Sequence, residues 1–327
     1  MKKNLIFLAL VSLGLASCNG GFKQDEGGML YNIVVDKGGP TIQPGDFVSA
    51  ELVVKTDADS VLQSTYVTGS PIQSVIPKPQ AKGDIISGLL KLSEGDSAII
   101  KINLDSMYKK QPKPQGIKGK YIVYVVKIEK LIAKGTLSDQ VFQGRVTDYL
   151  KSAAEALKKQ EPALIKKYIA DKKLTVTTTA DSLNYVITTQ GTGPKPAVGD
   201  TVVVNYTGRF VSNGKVFDSS IKDTAIKAKL QGATMRPFAP IHIPVGQQRV
   251  IKGWDEGLQL LNKGSKAILI IPSSLAYGER GMQQFIPPYS PIAFEVEIVN
   301  IIPPNPNAPK PVAPTLMPPP TGKPVAK

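Results

Sequence analysis

Val-Ile-Lys-Gly-Trp-Asp-Glu-Gly-Leu-Gln-Leu-Leu-Asn-Lys-Gly, residues 250 to 264, holds Trp254, the only tryptophan in 327 residues. β-Branched Val250 and Ile251 read as a strand end and Gly253 as a bend. Asp255 and Glu256 suit the first turn of a short helix, Leu258 and Leu261 its apolar face, and Gly264 its stop. A tryptophan buries a large area wherever it sits, so its position alone favours packing over function. The segments around it change that balance.

Upstream lie Gly-Asp-Thr-Val-Val-Val-Asn-Tyr-Thr-Gly (199 to 208) and Asn-Gly-Lys-Val-Phe-Asp-Ser-Ser (213 to 220). Downstream lie Ala-Ile-Leu-Ile-Ile-Pro (267 to 272), Leu-Ala-Tyr-Gly (275 to 278), Ile-Pro-Pro (286 to 288) and Ile-Ala-Phe-Glu-Val-Glu-Ile (292 to 298). In this order and at this spacing the segments, over roughly residues 183 to 302, resemble the FKBP-type peptidyl-prolyl cis-trans isomerases.

The resemblance implies an α+β fold, a twisted antiparallel sheet of about five strands wrapped on the helix at 254 to 262. It gives Trp254 the floor beneath a proline ring, with Tyr206, Phe217 and Phe294 as walls. The Ile251 N–H and the Tyr277 hydroxyl would hold substrate carbonyls, Asp218 would place a carboxylate at the pocket edge, and Ile286 would close one side. The family often has a further aromatic where Ile241 stands, a gap that Phe238 is the nearest residue to fill. Read without the resemblance, each aromatic is ordinary core and Asp218 an Asx turn over Ser219 and Ser220.

Two departures bear on substrate preference. Residues 221 to 239 form an insertion, and the loop after Tyr277 carries Met282 and Phe285.

The chemistry that the resemblance implies needs no cofactor and no metal. Rotation about a peptide bond faces a barrier of about 18 to 20 kcal/mol, because the planar form keeps amide resonance. Before proline, cis and trans differ by only about 0.5 to 1 kcal/mol, so the slow event is the crossing. The twisted carbonyl is less dipolar, and an apolar cavity therefore favours it over the ground state. His242 is the only histidine and lies in strand-like Ile241-His-Ile243, which leaves His-based nucleophilic catalysis or zinc binding little to work with.

The rest of the chain reads as a frame for this domain. Residues 1–17, with Lys2, Lys3 and an apolar run from Leu5 to Leu15, suit a cleaved leader and are too short to span a bilayer. Leu-Ala-Ser-Cys resembles a bacterial lipobox, which makes Cys18, the sole cysteine, the expected lipid anchor. An ordinary leader with an incidental cysteine is the alternative. Lipidation implies a bacterial cell envelope, on the periplasmic side or at the outer membrane. Residues 18–28 form a polar tether.

Residues 29–133 are strand-like and read as a degenerate copy of the later domain. Pro-Gly-Asp-Phe (44 to 47) parallels Val-Gly-Asp-Thr (198 to 201), and Gly-Leu-Leu-Lys-Leu (88 to 92) parallels Gly-Leu-Gln-Leu-Leu (257 to 261). On this register Leu52 stands for Tyr206, Leu62 for Phe217, Gln63 for Asp218 and Ile85 for Trp254, while Tyr108 matches Tyr277. A fold kept without its pocket argues for a binding or spacing module.

Residues 134–180 are a helical linker. Ser138 is its cap, Phe142, Val146 and Tyr149 lie on its apolar stripe, and Pro162 is expected to divide it into two helices. The stripe reads as core against one domain, with a homodimer through the 138–173 helices as the minority alternative. The isomerase-like domain covers 181–302. The tail, 303–327, has 10 prolines in 25 residues and cannot build a core.

The charge, 40 basic against 26 acidic side chains, is spread along the chain. No basic stripe interleaved with aromatics points to nucleic acid. The expected partners are proline-containing unfolded or folding proteins and, through Cys18, a membrane. The competing reading is a membrane-tethered holdase chaperone or peptide-binding scaffold, with residues 29 to 173 carrying the apolar surface and isomerisation incidental.

Overall fold

The computed structural model describes residues 21–108, 119–230, 237–282 and 285–304. The leader, Cys18, residues 231–236 of the insertion, residues 283–284 of the loop after Tyr277 and the tail beyond 304 lie outside the described residues. The chain divides into two compact units. One is Met1–Leu174 with Arg209–Phe217 and Pro272–Ile292, the other Thr175–Gly208 with Asp218–Ile271 and Ala293–Lys327.

Two seven-stranded sheets carry the architecture. The first contains β1 (Lys23–Gln24), β2 (Leu30–Val35), β3 (Phe47–Thr56), β4 (Val61–Ser64), β5 (Ile72–Val75), β6 (Ser97–Asn103) and β7 (Tyr121–Ile132). The second contains β8 (Thr177–Thr178), β9 (Asn184–Thr189), β10 (Thr201–Phe210), β11 (Val216–Ser219), β12 (Ile241–Pro244), β13 (Lys266–Ile271) and β14 (Ile292–Ile302).

The order is β1-β2-β6-β7-β3-β4 in one sheet and β8-β9-β13-β14-β10-β11 in the other, with β5 on β3 and β12 on β10. All pairings of the first sheet are antiparallel, as are β8–β9, β9–β13 and β10–β12 in the second. Strand for strand, the two are one topology written twice. The expected count of five is exceeded because a two-residue strand extends one edge of each sheet, and because β3 divides its other edge. Val53 to Lys55 take β4, while Phe47 to Ala50 take β5.

The repeat extends to single hydrogen bonds. Gly45 N–H donates to Ile76 and Ile76 N–H to Asp46; Gly199 donates to Val245 and Val245 to Asp200 in the same way. Gly95 donates to Ile128 and Ile128 to Asp96, as Gly264 donates to Ile298 and Ile298 to Ser265. Leu52 N–H donates to Thr65 Oγ1 at 2.9 Å, and Tyr206 N–H to Ser220 Oγ at 2.8 Å. This fixes Leu52 as the counterpart of Tyr206, and the Ile128–Ile298 match makes Tyr124 the counterpart of Phe294.

Each sheet packs on a short helix, α1 (Ile85–Leu89) and α3 (Lys252–Gln259). Close approach demands glycine. A Cβ on Gly257 would sit 2.7 Å from Leu269 Cδ1, and one on Gly88 would sit 2.8 Å from Ile100 Cδ1. Gly253 is not the expected bend but an interior residue of α3. Its missing Cβ would meet Ile271 Cγ2 at 2.4 Å, so the residue is small because β13 lies against it.

Between the two sheets in sequence runs α2 (Asp139–Asp171), capped by the Ser138 side chain, which accepts from Val141 N–H. The expected break at Pro162 is absent. Proline removes one N–H and adds a clash, but Pro162 is exposed while Glu161 and Tyr168, on either side, are buried. Tertiary contacts on the buried face hold the helix together across the missing bond. Phe142 and Val146 pack with Phe47, and Tyr149 meets the Phe47 ring edge-on at 5.8 Å, which accounts for the apolar stripe at that end.

Candidate functional site

The site is built where α3 begins. Ile251 is the N-cap, and its carbonyl accepts from the N–H groups of Trp254 and Asp255. Its own N–H has no acceptor among the described residues. The Asp255 carboxylate accepts from Gly246 N–H at 2.6 Å and Gln248 N–H at 3.0 Å. The preceding turn is thereby fixed to the helix. The sequence marked Asp255 only as a first-turn acid; its second role depends on a loop that sequence period does not place.

Trp254 is 4 % exposed. Its ring stands edge-on to Phe294 at 4.8 Å and to Tyr206 at 5.3 Å, and Tyr206 meets Phe294 at 6.0 Å. Three rings from β10, α3 and β14 thus close on one another. The Trp254 Nε1 donor is buried without a hydrogen-bond partner among the described residues. An unsatisfied buried donor costs about 1 to 3 kcal/mol and is uncommon in a settled core.

Asp218 joins this group through the Tyr206 hydroxyl, which donates to Asp218 Oδ2 at 2.5 Å. Oδ1 accepts from Ser219 N–H at 2.9 Å. Ser219 Oγ in turn donates to the Tyr206 carbonyl at 3.0 Å and contacts Thr207 Oγ1 at 3.0 Å. One Asp218 oxygen thus serves the adjacent backbone N–H and the other the aromatic group. Ser219 and Ser220 were not singled out as site residues, although the run Asp-Ser-Ser carried the signal.

The structure thus brings together Tyr206, Asp218, Trp254 and Phe294. Phe217 is half-buried on β11, with its ring 5.0 Å from Phe210. Tyr277 is half-buried in a turn, and Ile286 is buried and bridges to Met282. Phe238 and Ile241 are half-buried, the latter on β12 opposite Val204. His242 is exposed on the same strand. Met282 and Phe285 are exposed, Phe285 to 65 %. Among the described residues no cluster of His, Cys, Asp and Glu is arranged to hold a metal ion.

In the first unit the equivalent positions are Leu52, Leu62, Gln63, Ile85 and Tyr124, so the hydroxyl–carboxylate pair and the indole are both missing. Leu62 is 43 % exposed there.

An antiparallel sheet on a short helix, with three aromatic rings meeting at the helix start and a β11 carboxylate bonded to one of them, makes a small α+β domain. The profile of the FKBP-type peptidyl-prolyl cis-trans isomerases matches residues 193–299. FK506-binding protein 1 of Rhizopus delemar is 43% identical over 106 residues, 32% of this chain and 84% of that protein. The chain belongs to the FKBP-type peptidyl-prolyl cis-trans isomerase family.

Among bacterial relatives, the probable FKBP-type peptidyl-prolyl cis-trans isomerase FkpA of Neisseria meningitidis is 40% identical over 167 residues, 51% of this chain and 54% of the relative. The FKBP-type 22 kDa isomerase of Escherichia coli is 41% identical over 138 residues, 42% and 59% of the two chains. The chain thus spans little more than half the length of these bacterial relatives. The crystal structure of FkpA from Escherichia coli overlays with a TM-score of 0.40 at 32% identity, over 51% of this chain and 74% of that one.

Proposed function

We propose that this chain accelerates cis–trans rotation of Xaa-Pro bonds in folding polypeptides, at the site formed by Tyr206, Asp218, Trp254 and Phe294. The observation that carries the reading is the three-ring cluster with a buried, unpartnered indole N–H, joined to a carboxylate through the Tyr206 hydroxyl.

A proline ring laid against Trp254 gives up water for aromatic carbon. The amide next to it keeps its resonance only while planar, and planar it is dipolar. A weakly polar surround destabilises that form more than the twisted one, so the barrier falls without any covalent step. Asp218, held by Tyr206 and Ser219, fixes one negative charge at the edge and orients the carbonyl dipole as it turns. Ile251 N–H is the donor for a carbonyl flanking the proline, and family resemblance gives Tyr277 the second. The same resemblance assigns Phe217 to a wall of the proline pocket and Ile286 to its closed side, with Phe238 the nearest residue to the aromatic gap at Ile241.

Proline isomerisation limits refolding of many proteins to tens of seconds, which supplies the test. The full chain is expected to shorten the proline-limited phase of a client and leave its proline-independent phases unchanged. Equal acceleration of both phases would replace the isomerase reading with a chaperone one. A specific feature supports the chaperone as a second reading: Val61, Leu62, Ile72 and Val75 are all 39 % or more exposed on β4 and β5.

The lipobox resemblance supports a lipid anchor at Cys18 and with it an envelope location; mass spectrometry of the mature N-terminus reads the modification. Dimerisation through the 138–173 helix has less to draw on, since Phe142, Val146 and Tyr149 are occupied by Phe47. Light scattering reads the mass.

A further inference from the structure

We propose that Glu161, on α2, is a positioning residue that sets the turn carrying Tyr277, and through it the affinity for substrate; this rests on the isomerase reading above. Glu161 is 9 % exposed, on a stretch of helix where Lys158, Lys159 and Gln160 are exposed. A carboxylate taken out of water needs partners. Among the described residues Glu161 pairs with no cation, and both its oxygens go to one residue. Oε1 accepts from Ser273 N–H at 2.5 Å and Oε2 from Ser273 Oγ at 2.7 Å.

Ser273 is the hub of the turn. Its carbonyl accepts from Ala276 N–H at 2.9 Å and from Gly278 N–H at 2.8 Å, and these two bonds bracket Tyr277. The Gly278 carbonyl then accepts from Tyr289 N–H at 2.9 Å. Every polar group of Ser273 is thus engaged, its donors by the helix and its acceptor by the turn. One helical turn before Glu161, Lys158 Nζ lies 5.8 Å from the Tyr289 ring centroid, so the same stretch of α2 meets the far end of this segment too. Two contacts from one helix reach Ser273 and Tyr289, and Tyr277 lies between these two residues in sequence.

A buried charge that engages a backbone N–H and a hydroxyl, rather than a cation, contributes geometry more than attraction. If Tyr277 holds a substrate carbonyl in ground and transition states alike, misplacing it raises KM and leaves kcat nearly intact. The account therefore separates from a merely structural role by a double-mutant cycle on the full chain, with kcat and KM read separately on an Xaa-Pro peptide.

Tyr277→Phe is expected to lower kcat/KM about tenfold in the parent but less than about twofold in Glu161→Ala, whose own loss of about tenfold falls on KM. Glu161→Gln, which keeps an acceptor for Ser273 N–H, is expected to restore most of it. Should Glu161→Ala fail to fold, Ser273→Ala serves, since it removes only the hydroxyl partner and is expected to shrink the Tyr277→Phe effect by about half. Equal Tyr277→Phe effects in parent and variants would overturn the positioning role while leaving the isomerase reading intact. A parent with no activity would overturn that reading first.

Discussion

Replacing Phe294 by leucine keeps an apolar side chain on β14 but removes both of its ring contacts, at 4.8 Å to Trp254 and 6.0 Å to Tyr206. Each aromatic pair contributes about 0.5 to 1.5 kcal/mol beyond burial, so the variant is expected to lose roughly 1 to 3 kcal/mol. With a urea dependence of about 2 kcal/mol per molar, the unfolding midpoint falls by roughly 0.5 to 1.5 M. Trp254 is the only tryptophan, so its fluorescence reports the second unit alone while circular dichroism reports the whole chain. The fluorescence transition should move to lower urea by that amount, with the slope kept. A shift under about 0.2 M would show that the three rings do not stabilise one another, against the pair energies assumed.

Further outcomes follow from the same contacts. Gly257→Ala and Gly88→Ala each push a methyl to within 2.7 and 2.8 Å of a core side chain, and overpacking of this kind costs about 1 to 3 kcal/mol. The first is expected to lower the midpoint of the Trp254 fluorescence transition and the second that of the circular dichroism. Burial raises the Glu51 carboxyl above its ordinary 4.5, against the lowering effect of the Thr65 hydroxyl. The folded state therefore holds that proton longer than the unfolded one, so the contribution of Glu51 to stability is full below pH 4.5 and is lost as pH rises through the raised value. Glu51→Gln is expected to flatten that decline in urea titrations taken across the window. Pro162→Ala supplies the helix with its missing N–H and is expected to raise the melting temperature of α2, proline inside a helix being unfavourable by about 3 kcal/mol.

What the sequence disclosed was what local spacing encodes. Trp254, Tyr206, Asp218 and Phe294 were named from motif order, and the structure brings these four together. The degenerate copy was legible from Gly-Asp and Gly-Leu repeats, because tight turns and close helix–strand approaches need particular residues in both units. Tertiary events were not legible. Glu161 and Ser273 lie 112 residues apart and share no motif, so their contact had no local signal. Pro162 carried the usual mark of a helix end, and buried contacts on the opposite face overrode it. The bend assigned to Gly253 failed for a related reason: the glycine answers to Ile271 on a neighbouring strand, not to its own backbone.

Cis–trans exchange of a short Xaa-Pro peptide, followed by NMR with the full chain beside its Phe217→Ala and Asp218→Ala variants, tests the central claim most directly. The account predicts exchange cross-peaks with the parent at substoichiometric protein, largely lost in Phe217→Ala and weakened in Asp218→Ala. Exchange at the uncatalysed rate with the parent, or equal acceleration by all three proteins, would contradict it.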